Sequence, residues 1–97
     1  MKTFRWSHSK NERLKCERQI SFEEIVLAIE DGGLLDVLKH MNAMKYPNQR
    51  ILVVAVSGYA YLVPFVEDRG SYFLKTVIPS RKATRDYLHH GDPNAQA

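Results

Sequence analysis

The stretch Ile51-Leu52-Val53-Val54-Ala55-Val56 constrains this chain more than any other. It is an unbroken apolar run rich in β-branched side chains, the pattern of a central strand buried on both faces. Ser57-Gly58 follows, a pair suited to a tight hairpin turn, and residues 59–67 supply the returning strand. Pro64 interrupts that second run. Proline cannot donate to a ladder, so a bulge or an edge is expected there. Asp68-Arg69-Gly70-Ser71 reads as the next turn and residues 72–78 as another strand. The Pro79-Ser80 junction then leads into a C-terminal helix.

The N-terminal part carries helix signals. Residues 3–6 alternate weakly as a short strand. Ser7 or Ser9 is placed to cap a charged helix through Lys10 and Glu17, with Leu14 and Cys16 as its packing residues. Ser21-Phe22-Glu23-Glu24 is a capping box, and Ile20 and Ile25 are positioned as the accompanying hydrophobic staple. Phe22, Ile25, Val26 and Ile29 recur at helical spacing, so residues 21–30 read as an amphipathic helix that Asp31-Gly32-Gly33 stops. Residues 34–44 fit either a helix or a short strand. Residues 42–49 read as a connection turning at Tyr46-Pro47-Asn48.

The pattern gives an α+β fold: a small antiparallel sheet of four or five strands, two N-terminal helices on one face, and a C-terminal helix. The other face is left open for a partner or a site. Residues 1–90 form a single domain, and the polar tail at 91–97 is expected to fray. At 97 residues, with 44% hydrophobic and 26% charged, the chain can bury a core and is not of disordered composition. Its lone cysteine, Cys16, excludes an internal disulfide and fits a cytoplasmic protein. No apolar run is long enough for a membrane span, and no signal peptide is visible. A net charge of +3 permits a polyanionic or acidic partner.

The candidate site residues are mostly cations. Arg81, Lys82 and Arg85 gather after Ser80, a good helix cap, where free backbone N–H groups favour an anion. Arg81 and Arg85 share one helix face, Lys82 and Asp86 another, and Ala83, Tyr87 and Leu88 face the core. Composition alone favours a solvated basic face. Arg50 opens the central strand and Glu67 ends the next, so a hairpin at Ser57-Gly58 brings both to one edge of the sheet. There they form a surface ion pair, or a cation and a base aimed at a phosphodiester. Tyr59, Tyr61, Val63, Phe65 and Glu67 alternate onto one strand face, and Tyr61 can pack in the sheet or stack on an unpaired base. Lys75, in an otherwise apolar strand, either snorkels to solvent or adds charge to the open face. His8, His40, His89 and His90 lack metal spacing, and neither a phosphate loop nor a nucleophile motif is present. An enzyme built this way works without metal or cofactor.

The order of these elements resembles the BrnT-type toxins of type II toxin–antitoxin systems, which share the RelE ribonuclease fold. The resemblance covers residues 4–88. It rests on Ser21-Phe22-Glu23-Glu24 after a charged helix, on Arg50 before an apolar strand, on Phe65-Val66-Glu67-Asp68-Arg69-Gly70, and on Ser80-Arg81-Lys82-Ala83-Thr84, its most specific element. It implies a metal-independent endoribonuclease held inactive by a small antitoxin that also binds operator DNA. By position, Arg50, Glu67 and the Arg81-Lys82 pair match family residues, and Lys10 matches a lysine of the first helix. The chain departs at Trp6-Ser7, where the family has Trp-Asp, and at Glu17-Arg18-Gln19, where it has Lys-His-Gly. Implied roles are Glu67 as base, Arg50 and Arg81 as charge stabilisers, and Lys10, Tyr61, Lys75, Lys82 and Arg85 as RNA-binding residues. The rival expectation is a non-catalytic module that holds RNA or a partner on the same basic face.

Overall fold

A computed structural model describes residues 3–89; the expected tail at 91–97, and His90, lie outside them. The expected hairpin is its centre. Strand β3 (Gln49–Val56) pairs antiparallel with β4 (Tyr59–Asp68), with Val56 opposite Tyr59. Ser57 and Gly58 take φ of 53° and 80°. Two successive left-handed residues make the turn whose twist suits a hairpin. Arg69 and Gly70 repeat the device (φ 50° and 82°) and join β4 to β5 (Ser71–Leu74). Strand β2 (Leu34–Lys39) lies antiparallel on the other side of β3, so of the open segment 34–44 the first six residues are strand and 41–44 belong to the following turn.

The sheet runs β1-β5-β4-β3-β2, with the two-residue β6 (Ile78–Pro79) also on β4. It is six-stranded and mixed, where an antiparallel sheet of four or five strands was expected: β1 (Thr3–Trp6) runs parallel to β5. Turn chemistry reveals neighbours joined by tight loops. A parallel partner distant in sequence leaves no such signature.

Pro64 stands opposite Ile51 without disturbing β3. The irregularity falls on its other side. Phe65 pairs with Leu74 and Leu62 with Ile78, so Val63 and Pro64 of β4 face Lys75, Thr76 and Val77. The extra residue is a bulge at the place where a donor is missing, and the Lys75 N–H donates to the Pro64 carbonyl (2.8 Å).

Alternation along the strands makes two faces. On one, Leu52, Val54, Val63, Phe65 and Leu74 join Leu14, Ile20, Phe22 and Ile25 in the main core beneath the two N-terminal helices. Helix α1 (His8–Arg18) starts at Ser7, whose Oγ accepts from the Lys10 N–H (3.3 Å). Helix α2 (Phe22–Glu30) starts at Ser21, whose Oγ accepts from the Glu24 N–H (3.1 Å), the first half of a capping box, and donates to the Glu24 carboxylate (3.3 Å). Asn11, 1% exposed, locks the helices together. Its Oδ1 accepts from the Phe22 N–H (2.8 Å) and its Nδ2 donates to Glu23 (2.7 Å). That second bond holds the Glu23 carboxyl below its ordinary value. After α2 the chain passes so close to the sheet that a Cβ on Gly33 would meet the Ala28 and Ala55 carbonyl oxygens at 2.8 Å each. Only glycine fits there.

The two places where the sequence departs from the expected pattern are both ordinary helix-end positions. Ser7 replaces one helix-capping residue type with another. Gln19 sits at φ 56°, ψ 37°, the left-handed position that ends α1 and that glycine fills most easily. Arg18, where the pattern has histidine, donates to the Val77 carbonyl (2.6 Å) and ties α1 to the bulge.

The opposite face is only partly covered. Val53, Ala60 and Ala83 form a smaller core with Leu35, Leu38, Leu62 and Leu88 around it. The expected C-terminal helix is one α-turn, α3 (Arg81–Ala83), which widens into a π-helical turn over Thr84–Leu88. Of the residues expected to face the core, Ala83 is buried, Leu88 half-buried and Tyr87 exposed. The Tyr87 hydroxyl instead donates to Asp36 of β2 (2.6 Å).

Candidate functional site

The sheet has two chemically distinct ends. At the first, Arg50 of β3 and Glu67 of β4 meet as the hairpin predicts. Arg50 Nη2 lies 2.7 Å from Glu67 Oε1, with each side chain about one-third exposed (33% and 35%). Register places Arg50 opposite Phe65, whose ring centroid lies 5.3 Å from the guanidinium carbon. The cation is thus held by a ring beneath it and a carboxylate beside it, an arrangement that fixes a planar guanidinium. Lys39 of β2 stands directly opposite Arg50 in the register, on the same face of the sheet. Lys39, Arg50 and Glu67, with Ala43, Pro47 and Gln49, line an open cavity of about 400 Å³. Its far wall is the connection between β2 and β3. That connection is braced by Tyr46 N–H to Asn42 O (2.9 Å) and Gln49 N–H to Tyr46 O (3.2 Å), and Glu67 N–H to Asn48 O (3.2 Å) pins its end to β4.

The second end holds the Ser80 motif. Ser80 N–H donates to the Ala60 carbonyl (3.0 Å) at the start of β4, seven positions before Glu67. At ~3.4 Å per strand residue the two ends are roughly 24 Å apart. The motif's small residues hold the fold. Ser80 Oγ accepts from the Ala83 N–H (3.0 Å), and Thr84 Oγ1 accepts from the buried Ala60 N–H (2.8 Å) while donating to the Ser80 carbonyl (2.7 Å). The Ala83 N–H, one of the first-turn donors expected to favour an anion, is therefore occupied, and a three-residue helix sums little dipole. Arg81 and Lys82 project as exposed cations, and Arg85 pairs with Asp86 (3.1 Å). Lys82, Asp86 and Tyr87 rim a groove of about 310 Å³ floored by Leu38, Val53, Leu62 and Ala83.

The expected site residues therefore divide. Arg50 and Glu67 come together. Arg81, expected beside them as a second charge stabiliser, lies at the other end of β4 and against the other face, because Ser80 is tethered to Ala60. Tyr61 shares the face of Glu67 but packs on the main core and edge-on to Tyr59 (5.7 Å), nearer the Ser80 end. Lys10 is half-buried on α1, and Lys75 is exposed beside the bulge. Sequence reasoning missed Lys39, whose relevance depends on the strand assignment of 34–39 and on its register. It also missed Asn11 and Asp36. The Tyr87 hydroxyl holds the Asp36 carboxyl below its ordinary range, and Asp36 raises the Tyr87 phenol.

Among the described residues, no group of three or more His, Cys, Asp or Glu side chains could hold a metal, and no helix is long and apolar enough to cross a membrane. Comparison with protein-family models, with curated proteins and with solved structures finds no match to this chain.

Proposed function

We propose that this chain is the toxin of a type II toxin–antitoxin pair, a metal-independent endoribonuclease of BrnT-like type whose reacting groups are Arg50 and Glu67. The observation that carries the reading is the Arg50–Glu67 contact beside an open cavity. In RNA cleavage of this class, a base takes the 2′-hydroxyl proton and the 2′-oxygen attacks the adjacent phosphorus. The bond to the 5′-oxygen breaks, and that oxygen takes a proton from solvent. A 2′,3′-cyclic phosphate and a 5′-hydroxyl result. Glu67 is the base and Arg50 the fixed cation for the extra charge on the phosphoryl oxygens. Arg81 and Lys82, remote from that pair, serve the RNA backbone or the antitoxin rather than the reacting phosphate. The partner in this reading is a small DNA-binding antitoxin. Apolar surface suited to a protein partner exists on the edge strand, where Leu34 and Val37 are each 41% exposed.

A second reading, a non-catalytic RNA- or partner-binding module, is favoured by one observation: Glu67 already engages Arg50, and Arg81, Lys82 and Arg85 stand at the far end. Expression of the chain alone, with primer extension on cellular RNA beside an Arg50→Ala variant, separates the two. Cleavage that disappears in the variant supports the nuclease. RNA left intact by the wild-type chain removes that claim and leaves binding.

A further inference from the structure

Lys39 and Arg50 face each other across two paired strands on one side of the sheet. Directly opposed residues have Cβ atoms about 5 Å apart, and like charges placed so destabilise a sheet. The pairing does nothing for packing: Lys39 is exposed, on the sheet's outer strand. It does set two cations on one wall of the 400 Å³ cavity, with the Glu67 carboxylate beside Arg50. The opposite wall is preformed, since the hydrogen bonds within 42–49 and from Glu67 N–H to Asn48 O fix the connection. That wall presents Ala43 and Pro47, apolar and without competing charge. A cavity of this size takes one nucleotide unit, not a duplex.

We infer that Lys39 and Arg50 form a phosphate-binding pocket for single-stranded RNA, with Lys39 the second cation on the bound phosphate and the Ala43–Pro47 wall against its sugar. This rests on the RNA reading of the Arg50 end and adds to it a residue, a strand state and a boundary. Arg50 already pairs with Glu67 (2.7 Å), so a bound phosphate shares the guanidinium with that carboxylate and gains the Lys39 ammonium as a second cation.

The test is binding of a fluorescently labelled, 2′-O-methyl single-stranded oligoribonucleotide, which cannot be cleaved, followed by anisotropy across a salt series. Lys39→Ala should weaken binding roughly fivefold or more and make the slope of log K against log salt shallower by about 0.7, the loss of one phosphate contact on a single strand. Lys39→Arg should restore both. The thermal midpoint of Lys39→Ala should be unchanged or raised, because a like-charge neighbour is gone, so weakened binding will not reflect unfolding. Lys15→Ala, which removes a cation paired with Glu12 on α1 (3.0 Å), controls for net charge and should leave the slope alone. Amide shifts on titration should cluster at residues 39–50 and 67. Wild-type affinity and slope in Lys39→Ala, no binding by the wild-type chain, or shifts confined to residues 80–88, would each overturn the pocket. Cleavage of unmodified RNA, scored separately, tests the nuclease reading: binding without cleavage keeps the pocket and removes the enzyme.

Discussion

The two ends of β4 make an instructive contrast. Both carry cations. At the Glu67 end the charged groups are brought together by strand register, and none is needed to fill the core. At the Ser80 end the matching residues are mostly structural. Ser80 caps a turn, Ala83 fills the smaller core, and Thr84 satisfies a buried backbone donor. The most specific motif of the chain is thus largely explained by folding, and the less specific pair is a cross-strand ion pair that fills no core position. A short motif followed by a buried threonine can be demanded by packing alone, so motif strength and functional weight are separate quantities.

Substitutions at the two ends test the contrast. The largest effect is expected from Arg50→Ala. In an RNA-cleavage assay it should lose about 10²–10³-fold in rate, the usual consequence of removing one fixed transition-state donor. Arg81→Ala, by comparison, should change the rate by no more than about threefold while shifting antitoxin or RNA affinity. Equal losses at both positions would break the division of the sheet into a reacting end and a structural end.

Thr84→Val should act in the opposite sense. It keeps the side-chain shape but leaves the buried Ala60 N–H unpaired, costing about 1–3 kcal/mol in urea denaturation. Cleavage per folded molecule should be unaffected. A smaller effect is expected at the end of α1, away from the contrast: Gln19→Gly should raise stability by a few tenths to ~1 kcal/mol, because glycine enters the left-handed region without the Cβ penalty.

The least drastic probe is pH. Tyr87 has its phenol raised by Asp36, so the stability it contributes is complete below the ordinary tyrosine range and is lost as pH rises through the folded-state value. Asp36 has its carboxyl lowered by the Tyr87 hydroxyl and the Val37 N–H, so its contribution is present above the ordinary carboxylate range and is lost as pH falls through the folded-state value. The bond between β2 and the C-terminal turn should therefore hold across neutral pH and weaken at both extremes. Ultraviolet titration should show one late-ionising tyrosine that Tyr87→Phe removes.

Local sequence determined much of this protein. The two left-handed turns at Ser57-Gly58 and Arg69-Gly70, the caps at Ser7, Ser21 and Ser80, and the apolar β3 run are each set by neighbours a few residues away. From the hairpin alone it follows that Arg50 and Glu67 share an edge. Tertiary structure decided what depends on residues distant in the chain. It set β1 parallel to β5, made 34–39 an edge strand, put Lys39 opposite Arg50, and moved Arg81 away from both. The physical reason is that a turn or cap is satisfied by bonds within one segment. The choice of strand neighbour is instead made by whichever edge offers unpaired backbone groups and a matching apolar face, and no single segment carries that information.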